Sequence, residues 1–341
     1  MLNVGIVGLG YMAAMHIRAW RQVAGTEILA ICNPSGRNLD GDLSTVFGNL
    51  SGQEALKLDM SKVRAYSDYA AMLADPDIHI IDICSPTWAH HDQATSALAS
   101  GVHVLLEKPV ARTTKEAKRI VEASGYASHY LMPAMCLRFW PEWRLLKDAI
   151  SDGRYGKVLA ARFRRVGPPP AWGKNHLHDG IKSGGALLDL HIHDVDFINW
   201  CFGKPKRVFA MGYSKFSGAF DHVVTQFEVD CEAIVHAEGG WAMTPGFAFN
   251  MSYTVNFEKA TLDYDIARGP DAVLKICEEG KEPVTQKAAA EDGYVGEIRH
   301  FVESIQQGRA PTVVTAQDGL AAIEVCEAEE MSARLRQPMP V

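Results

Sequence analysis

Short apolar runs alternate with helix-like segments through the first part of the chain. The apolar runs are brief and rich in β-branched residues, which is typical of strands buried on both faces. They lie at residues 3–7, 27–32, 78–84 and 102–106. Apolar positions recur at helical spacing over residues 13–23, 89–100 and 113–124. Strands that alternate with helices of this length predict right-handed βαβ units and a doubly wound parallel sheet, an α/β Rossmann-type domain.

The pattern changes after about residue 133. Longer runs, in which apolar and polar residues alternate, follow one another with few helices between them. They cover residues 158–164, 223–229, 233–239, 249–257 and 260–264. Such a series predicts a mainly antiparallel sheet in a second, α+β domain. Helices are predicted at residues 185–201, 294–307 and 316–335. We therefore expect a first domain over residues 1–132 and a second over 133–310, with the helix at 316–335 packing back on the first.

Composition and charge narrow the class of protein. The 341 residues are 47% hydrophobic and 22% charged, which excludes a disordered chain. No apolar run reaches the roughly 18–20 residues of a membrane span, and the start of the chain lacks a secretory leader. The net charge of −7 argues against nucleic acid as the main partner. The seven cysteines form no C-x-x-C pair, so we expect no disulfide framework and no metal site. These features predict a cytoplasmic protein that binds neither nucleic acid nor membrane.

The first strand runs into a glycine motif, G-L-G-Y-M-A at residues 8–13. In G-x-G-x-x-A between a strand and a helix, the first glycine permits a tight turn and the second lets a pyrophosphate approach the backbone. The helix N-terminus then faces the phosphates with unpaired N–H groups and a positive dipole end. The motif predicts a dinucleotide site at Gly8, Gly10, Tyr11 and Met12.

The end of the second strand bears on the choice of dinucleotide. An acidic residue there would accept hydrogen bonds from the ribose of NAD, but this chain has Asn33, followed by Ser35 and Arg37. A 2′-phosphate could be accepted here, with Arg37 as its charge partner. Alternatively, Asn33 and Ser35 only shape the turn and Arg37 is solvated. The sequence favours NADP over NAD by this one feature.

Glu107-Lys108-Pro109 follows the strand at residues 102–106 directly. It therefore lies at the carboxyl edge of the parallel sheet, where doubly wound sheets bind ligands. A residue before proline is excluded from the α region, so backbone sterics restrict Lys108. Its ammonium could hydrogen-bond a substrate hydroxyl and assist proton transfer. The alternative is a surface lysine beside a turn, but the position at the sheet edge favours a functional Lys108.

A second candidate cluster lies in S-G-G-A-L-L-D-L-H-I-H-D-V-D at residues 183–196. On a helix, Asp189, His193 and Asp196 would share one stripe. An aspartate and a histidine one turn apart suit proton abstraction, because imidazole titrates near neutral pH. One alternative is a histidine bordering the core. Another is a metal site built from His176, His178, His191 and His193. Since His191 and His193 would point about 200° apart on a helix, we prefer catalysis.

These landmarks together resemble the family of glucose–fructose oxidoreductase and inositol 2-dehydrogenase, a group of NAD(P)-dependent sugar and cyclitol oxidoreductases. Four motifs match in order along the whole chain. They are the glycine turn, S-P-T-W-A-H at residues 85–90, E-K-P at 107–109, and G-G at 184–185 followed by D-x-x-x-H at 189–193. The resemblance implies a Rossmann domain followed by an open-faced antiparallel sheet.

The resemblance also implies roles for single residues. Lys108 would be the catalytic lysine, His193 the acid/base and Asp189 a ligand of the sugar hydroxyls. The residues implied along the cofactor are Ser85, Pro86, Thr87, His90, Glu107, Lys108 and Arg138. The residues implied at the border of the substrate pocket, besides the catalytic ones, are Trp172, His176 and Tyr294.

The sequence therefore predicts an NAD(P)-dependent oxidoreductase that transfers hydride between nicotinamide and a secondary alcohol or ketone of a sugar, cyclitol or related polyol. Two alternatives remain. One is a lyase or glycosidase that uses a tightly held nicotinamide for transient oxidation, and the other is a sugar or dinucleotide sensor without chemistry. Lys108, Asp189 and His193 together argue against a pure sensor. A broad antiparallel face would expose apolar surface in a monomer, so we expect a homodimer or homotetramer.

Overall fold

The computed structural model describes residues 1–48, 54–171 and 176–341, and the chain divides into two compact units. The first unit comprises Met1–Cys136 and Gly293–Leu320, and the second comprises Leu137–Asp292 and Ala321–Val341. The segment 293–310, expected in the second domain, therefore belongs to the first unit. Only the beginning of the helix expected at 316–335 joins the first unit, and the rest of that helix belongs to the second.

A parallel sheet forms the centre of the first unit. In the described residues its strands are β1 Leu2–Val7, β2 Thr26–Cys32, β3 Arg64–Tyr66, β4 Ile80–Ile83, β5 His103–Glu107 and β6 Leu131–Ala134. Their order is β3-β2-β1-β4-β5-β6, and neighbouring strands are parallel. The chain crosses back over β1 to form β4, so the carboxyl ends of β1 and β4 border the crevice where such sheets bind ligands. The predicted doubly wound sheet is confirmed.

The helices of the described chain are divided between the two units. Along the described chain they are α1 Tyr11–Trp20, α2 Tyr69–Leu73, α3 His90–Ala99, α4 Thr114–Tyr126, α5 Pro141–Asp152, α6 Gly180–Ser183, α7 Ile192–Phe202, α8 Gly293–Gln306 and α9 Ala316–Leu335. Helix α4 begins at a capping box, in which Thr113 and Glu116 each accept a backbone N–H of the other. Helix α8 packs on α1 through its buried apolar side, which explains why it belongs to the first unit.

The second unit contains a mixed, mainly antiparallel sheet. Its described strands are β7 Val158–Val166, β8 Arg207–Tyr213, β9 His222–Glu228, β10 Ile234–Gly240, β11 Asn250–Phe257, β12 Ala260–Asp265, β13 Leu274–Glu278, β14 Val284–Gln286 and β15 Met339–Pro340. They run in the order β14-β13-β12-β11-β7-β10-β9-β8-β15, and only β7 and β10 pair in parallel within this described set.

One face of this second sheet is left open. Buried residues alternate with accessible ones along β8, β9 and β10, so one side of each strand packs on the core and the other does not. The accessible side carries a set of large apolar residues, Phe209, Met211, Tyr213, Val224 and Ile234. The predicted antiparallel second domain is confirmed. In the described part of the chain, no helix has both the length and the apolar character needed to cross a bilayer.

Candidate active site

The glycine turn after β1 has the geometry that a dinucleotide requires. Gly8 has a φ of +84°, and a Cβ there would lie 2.6 Å from the Ser85 Cα, so a side chain would collide with the backbone that follows β4. Gly10 caps α1 without any side-chain cap, and a Cβ there would meet nothing within 4 Å. The first turn of α1 contains no acidic residue. A cradle of exposed backbone at a helix N-terminus fits the pyrophosphate of a dinucleotide, with Tyr11 and Met12 half-buried beside it.

The turn after β2 is organised by its own side chains. Asn33 Nδ2 donates to the Arg37 carbonyl at 2.7 Å, and Asn33 Oδ1 accepts from Ser35 Oγ at 2.9 Å and from Ser35 N at 3.2 Å. Asn33 therefore shapes the turn, as one of the two interpretations of the sequence expected. Ser35 and Arg37 are exposed, so the turn presents a hydroxyl and a guanidinium to solvent and no carboxylate from residues 33–37.

His90 joins the segments that follow β4 and β5. Its Nδ1 lies 2.8 Å from the Pro109 carbonyl and its Nε2 lies 2.8 Å from the Ser85 carbonyl. The ring is 1% exposed, and burial lowers the pKa of His90. Pro86 between these segments is exposed and Thr87 is buried. The structure thus gives His90 a role in holding the two backbone segments that carry Ser85 and Lys108, and a direct cofactor contact of His90 stays a prediction.

Lys108 lies at the carboxyl end of β5, as predicted. It is half-buried, its backbone N–H donates to Glu107 Oε2 at 2.9 Å, and its peptide bond to Pro109 is cis. Glu107 is 4% exposed. The carboxylate that the resemblance placed at the cofactor therefore points back to fix the backbone of the neighbouring lysine.

A buried ionisable cluster in the first unit was missed in the sequence. His16 on α1 and Asp82 on β4 are both 0% exposed, and His16 Nδ1 lies 3.0 Å from both Asp82 oxygens. Cys84 Sγ lies 3.5 Å from the same nitrogen. Each of the three residues offers a potential metal-ligand atom, although hydrogen bonds already link these atoms. An aspartate inside the apolar run of β4 was the signal that could have revealed the cluster, because a charge in a central strand needs a buried partner.

In the second unit, the predicted helix at residues 185–201 is interrupted. Helix α6 ends at Gly184 and Gly185, which both have positive φ, and a π-helical turn over Leu187–His191 leads into α7. A Cβ on Gly185 would lie 2.6 Å from the Phe220 carbonyl oxygen, so glycine is needed there. A π turn changes how Asp189 is placed relative to His193, whereas His193 and Asp196 lie three residues apart on the regular helix α7.

The side chains of this segment separate into two groups. Three are buried in ion pairs: His191 with Glu329, Asp194 with Arg165, and Asp196 with Arg138. Burial alone would lower the pKa of His191, but the charge and hydrogen bond of Glu329 raise it. Asp189 and His193 are half-buried instead. The pair predicted to carry chemistry is thus more exposed than the three residues in ion pairs.

Three other predicted positions have different outcomes. Arg138 is 1% exposed, and its Nε and Nη2 donate to Asp196 at 2.9 and 2.6 Å, so the structure assigns it a packing role and its cofactor contact stays a prediction. His176 is half-buried in the second unit, and Tyr294 is half-buried on α8 in the first. Trp172 lies outside the described residues.

Hydride transfer with a nicotinamide cofactor uses a dinucleotide cradle and proton-transfer groups, and this chain offers candidates for both. That combination defines a nucleotide-dependent oxidoreductase. Residues 2–134 match the family described as "Oxidoreductase family, NAD-binding Rossmann fold", and residues 143–263 match the "GFO/IDH/MocA C-terminal domain". The chain belongs to the Gfo/Idh/MocA family of oxidoreductases, which confirms the resemblance seen in the sequence.

Individual relatives differ in how much of the chain they match. A myo-inositol 2-dehydrogenase of Thermotoga maritima is 24% identical over 94% of this chain and 93% of its own length. An uncharacterized oxidoreductase of Synechocystis is 28% identical over 61% of this chain, and the match spans about half of that protein, 53%. The solved structure of a levoglucosan dehydrogenase in complex with NADH and levoglucosan has a TM-score of 0.84 at 20% identity, covering 100% of this chain and 99% of that one. This last likeness is one of fold.

Proposed function

We propose that the protein is a dehydrogenase or reductase that transfers hydride between a nicotinamide cofactor and a secondary alcohol or ketone of a sugar, cyclitol or related polyol. The observation that carries the proposal is the separation of residues 189–196 into buried ion pairs and the half-buried Asp189 and His193. A named relative, the myo-inositol 2-dehydrogenase of Thermotoga maritima, supports a polyhydroxylated substrate.

In this proposal each residue has a defined task. A nicotinamide dinucleotide held at the glycine turn, beside Gly8 and Gly10, would supply the hydride acceptor. The imidazole of His193 takes the proton of the substrate hydroxyl, a step typically worth about 10²–10⁴ in rate. The ammonium of Lys108 hydrogen-bonds the same oxygen and stabilises the negative charge that develops on it. Asp189 accepts a hydrogen bond from a neighbouring hydroxyl and so orients the substrate. Reduction of the ketone runs the same path backwards.

The proposal is tested by titrating the purified protein with NADH and with NADPH while following fluorescence, and then by screening polyols for a change in nicotinamide absorbance. We expect saturable binding of a reduced cofactor and oxidation of at least one polyol. Binding without turnover of any polyol would favour a sensor. Product formation without net change of the cofactor would favour a lyase or glycosidase. No binding of either cofactor contradicts the proposal altogether.

We further propose that the turn after β2 favours NADP, with Ser35 and Arg37 as partners of the 2′-phosphate. Exposed hydroxyl and guanidinium groups support this, because charge-assisted bonds to phosphate are strong. Arg37→Ala is expected to weaken NADPH binding about tenfold or more and NADH binding less than about twofold, measured by fluorescence titration. Arg37→Lys, which keeps the charge but loses the planar guanidinium, is the matched variant. Its affinity for NADPH should lie between those of the wild type and Arg37→Ala. Equal losses for both cofactors, or a wild-type preference for NADH, count against this assignment.

The open face of the second sheet supports the expected homo-oligomer. Phe209, Met211 and Tyr213 lie on β8 beside Val224 on β9, and Met211 pairs directly with Val224. We propose that a second copy of the chain covers this face. Ile234→Lys on β10 should shift the mass measured by light scattering toward the monomer, because a lysine would be desolvated in the interface. The control is Val284→Lys on β14, the edge strand that lies farthest from β8 and β9 among β7–β14. Unchanged mass in Ile234→Lys would reject this face.

A further inference from the structure

The buried cluster around His16 has no part in the proposed chemistry so far. It joins four elements of the first unit. His16 lies on α1, Asp82 on β4, Glu107 at the end of β5 and Glu297 on α8, and none of the four is more than 4% exposed. Burying ionisable groups is costly even when they are paired. A cluster of this kind directly behind the β5 edge therefore needs a reason beyond packing.

His16 is surrounded by carboxylates on both sides of its ring. Its Nδ1 lies 3.0 Å from both oxygens of Asp82. Its Nε2 lies 3.0 Å from Glu107 Oε1 and 3.8 Å from Glu297 Oε1. A neutral imidazole has only one N–H, so the ring faces two sets of carboxylate oxygens best when both nitrogens are protonated. Burial alone would lower the pKa of His16, but the charge of Asp82 and the hydrogen bond to it raise the pKa well above its usual value.

The other neighbours of the ring restrain the cluster. Trp20 Nε1 donates to Asp82 Oδ2 at 2.7 Å, and Cys84 Sγ lies 3.5 Å from Asp82 Oδ1. The ring of Tyr294 on α8 has its centre 6.0 Å from that of His16. The orientation of the imidazole is therefore determined by side chains from α1, β4 and α8.

Glu107 connects this cluster to the sheet edge. One of its carboxylate oxygens, Oε1, lies against His16, and the other, Oε2, accepts the backbone N–H of Lys108 at 2.9 Å. The carboxylate of Glu107 thus contacts both the ring of His16 and the backbone N–H of Lys108. Without the positive charge of His16, Glu107 would be a buried carboxylate that has lost its counter-charge, and its side chain would no longer be held between the imidazole and the Lys108 N–H. The Lys108 N–H would then no longer have a fixed acceptor.

We propose that His16 is a positioning residue, which through Glu107 holds the backbone of Lys108 in the place from which the lysine side chain acts. The inference rests on the proposed function for the task of Lys108 itself. The link from His16 to Lys108 is a separate claim, since it concerns a backbone hydrogen bond that can be observed without any substrate.

The test compares three variants with the full-length wild type. His16→Gln removes the charge, His16→Gln/Glu107→Gln removes both members of the pair, and His103→Gln is the control. His103 lies at the opposite end of β5 and accepts the backbone N–H of Tyr130 at 3.0 Å. Amide hydrogen exchange of Lys108 is measured at single-residue level, together with the pH profile of kcat and with KM for the polyol found in the screen.

We expect His16→Gln to speed exchange of the Lys108 amide by about tenfold or more relative to the amides of β5. It should also lower kcat about tenfold or more and move its pH profile, with KM changed much less, because misplacing a catalytic group acts on the transition state. His103→Gln should change neither the exchange rate of the Lys108 amide nor kcat and its pH profile. Wild-type Lys108 exchange in folded His16→Gln overturns the proposal.

If His16→Gln does not fold, the double variant, in which an uncharged glutamine also replaces Glu107, takes its place. In it a neutral amide replaces the charged acceptor, so the Lys108 amide should still exchange faster than in the wild type, and exchange at the wild-type rate again overturns the proposal. If the wild type oxidises no polyol, the proposed function fails, whereas the exchange measurement still decides the link between His16 and Lys108.

Discussion

His193→Ala is expected to lower kcat by at least about a hundredfold while the affinity for the reduced cofactor stays within about twofold of wild type. A lost general base typically costs about 10²–10⁴ in rate. His193 lies on α7 in the second unit, whereas the glycine turn and the open N-terminus of α1 belong to the first unit. The substitution therefore removes the proposed proton-transfer group without altering the dinucleotide cradle. The measurements are steady-state kinetics on the polyol found in the screen and fluorescence titration with the cofactor.

Lys108→Ala should lower kcat by a similar factor, because the substrate oxygen would lose the cation that stabilises its developing charge. His129→Ala serves as the control for both substitutions. It removes another half-buried histidine, whose ring packs edge-on against His103 at 4.8 Å, and it should leave kcat unchanged. Full activity in either His193→Ala or Lys108→Ala contradicts the assigned roles.

Asp196→Ala is expected to lower the free energy of unfolding by about 3–5 kcal/mol, since it leaves the buried charge of Arg138 without its partner. The two side chains are at most 2% exposed, their closest contact is 2.6 Å, and the guanidinium also lies over the Trp200 ring at 5.4 Å. Urea unfolding, with the slope of free energy against denaturant compared between variants, measures the loss.

The control for this prediction is a surface ion pair of similar chemistry. Arg144 and Asp148 lie 3.1 Å apart on α5 and are about half exposed, so Asp148→Ala should cost less than about 1 kcal/mol. A loss of that size in Asp196→Ala would mean that Arg138 is not held as a buried charge.

The double variant Arg138→Met/Asp196→Leu bears on the cofactor contact implied by the resemblance. Replacing a buried ion pair by apolar residues of similar volume is often neutral for stability, so this protein should fold. If Arg138 only supports packing, the double variant binds the reduced cofactor like the wild type. Loss of cofactor binding in a folded double variant would restore the predicted contact.

Much of the first unit could be predicted because its signals are local. The glycine turn at residues 8–13 and the position of Lys108 depend on backbone sterics and on the rule that parallel strands present their carboxyl ends at one edge. The capping box of Thr113 and Glu116 at the start of α4 is local in the same way, since a cap involves residues within one turn. The change from apolar runs to alternating strands likewise predicted the second sheet.

Other features escaped prediction because they depend on residues far apart in the chain. His16 meets Glu107 and Glu297, and Asp196 meets Arg138, only after distant segments have packed. Helical spacing grouped Asp196 with Asp189 and His193, but Asp196 is buried against Arg138 and the other two are half-buried. Helix α8 was placed in the second domain because it follows that domain in sequence, yet its apolar side packs on α1.

The amino-acid sequence by itself determined the two sheet types, the dinucleotide turn and the residue types available for proton transfer, since each follows from periodicity or from a short motif. Only the tertiary structure decided which ionisable side chains become structural and which stay accessible. The physical reason is the cost of burying a charge. His191, Asp194 and Asp196 are buried in ion pairs with residues of other elements, whereas Asp189 and His193 are half-buried.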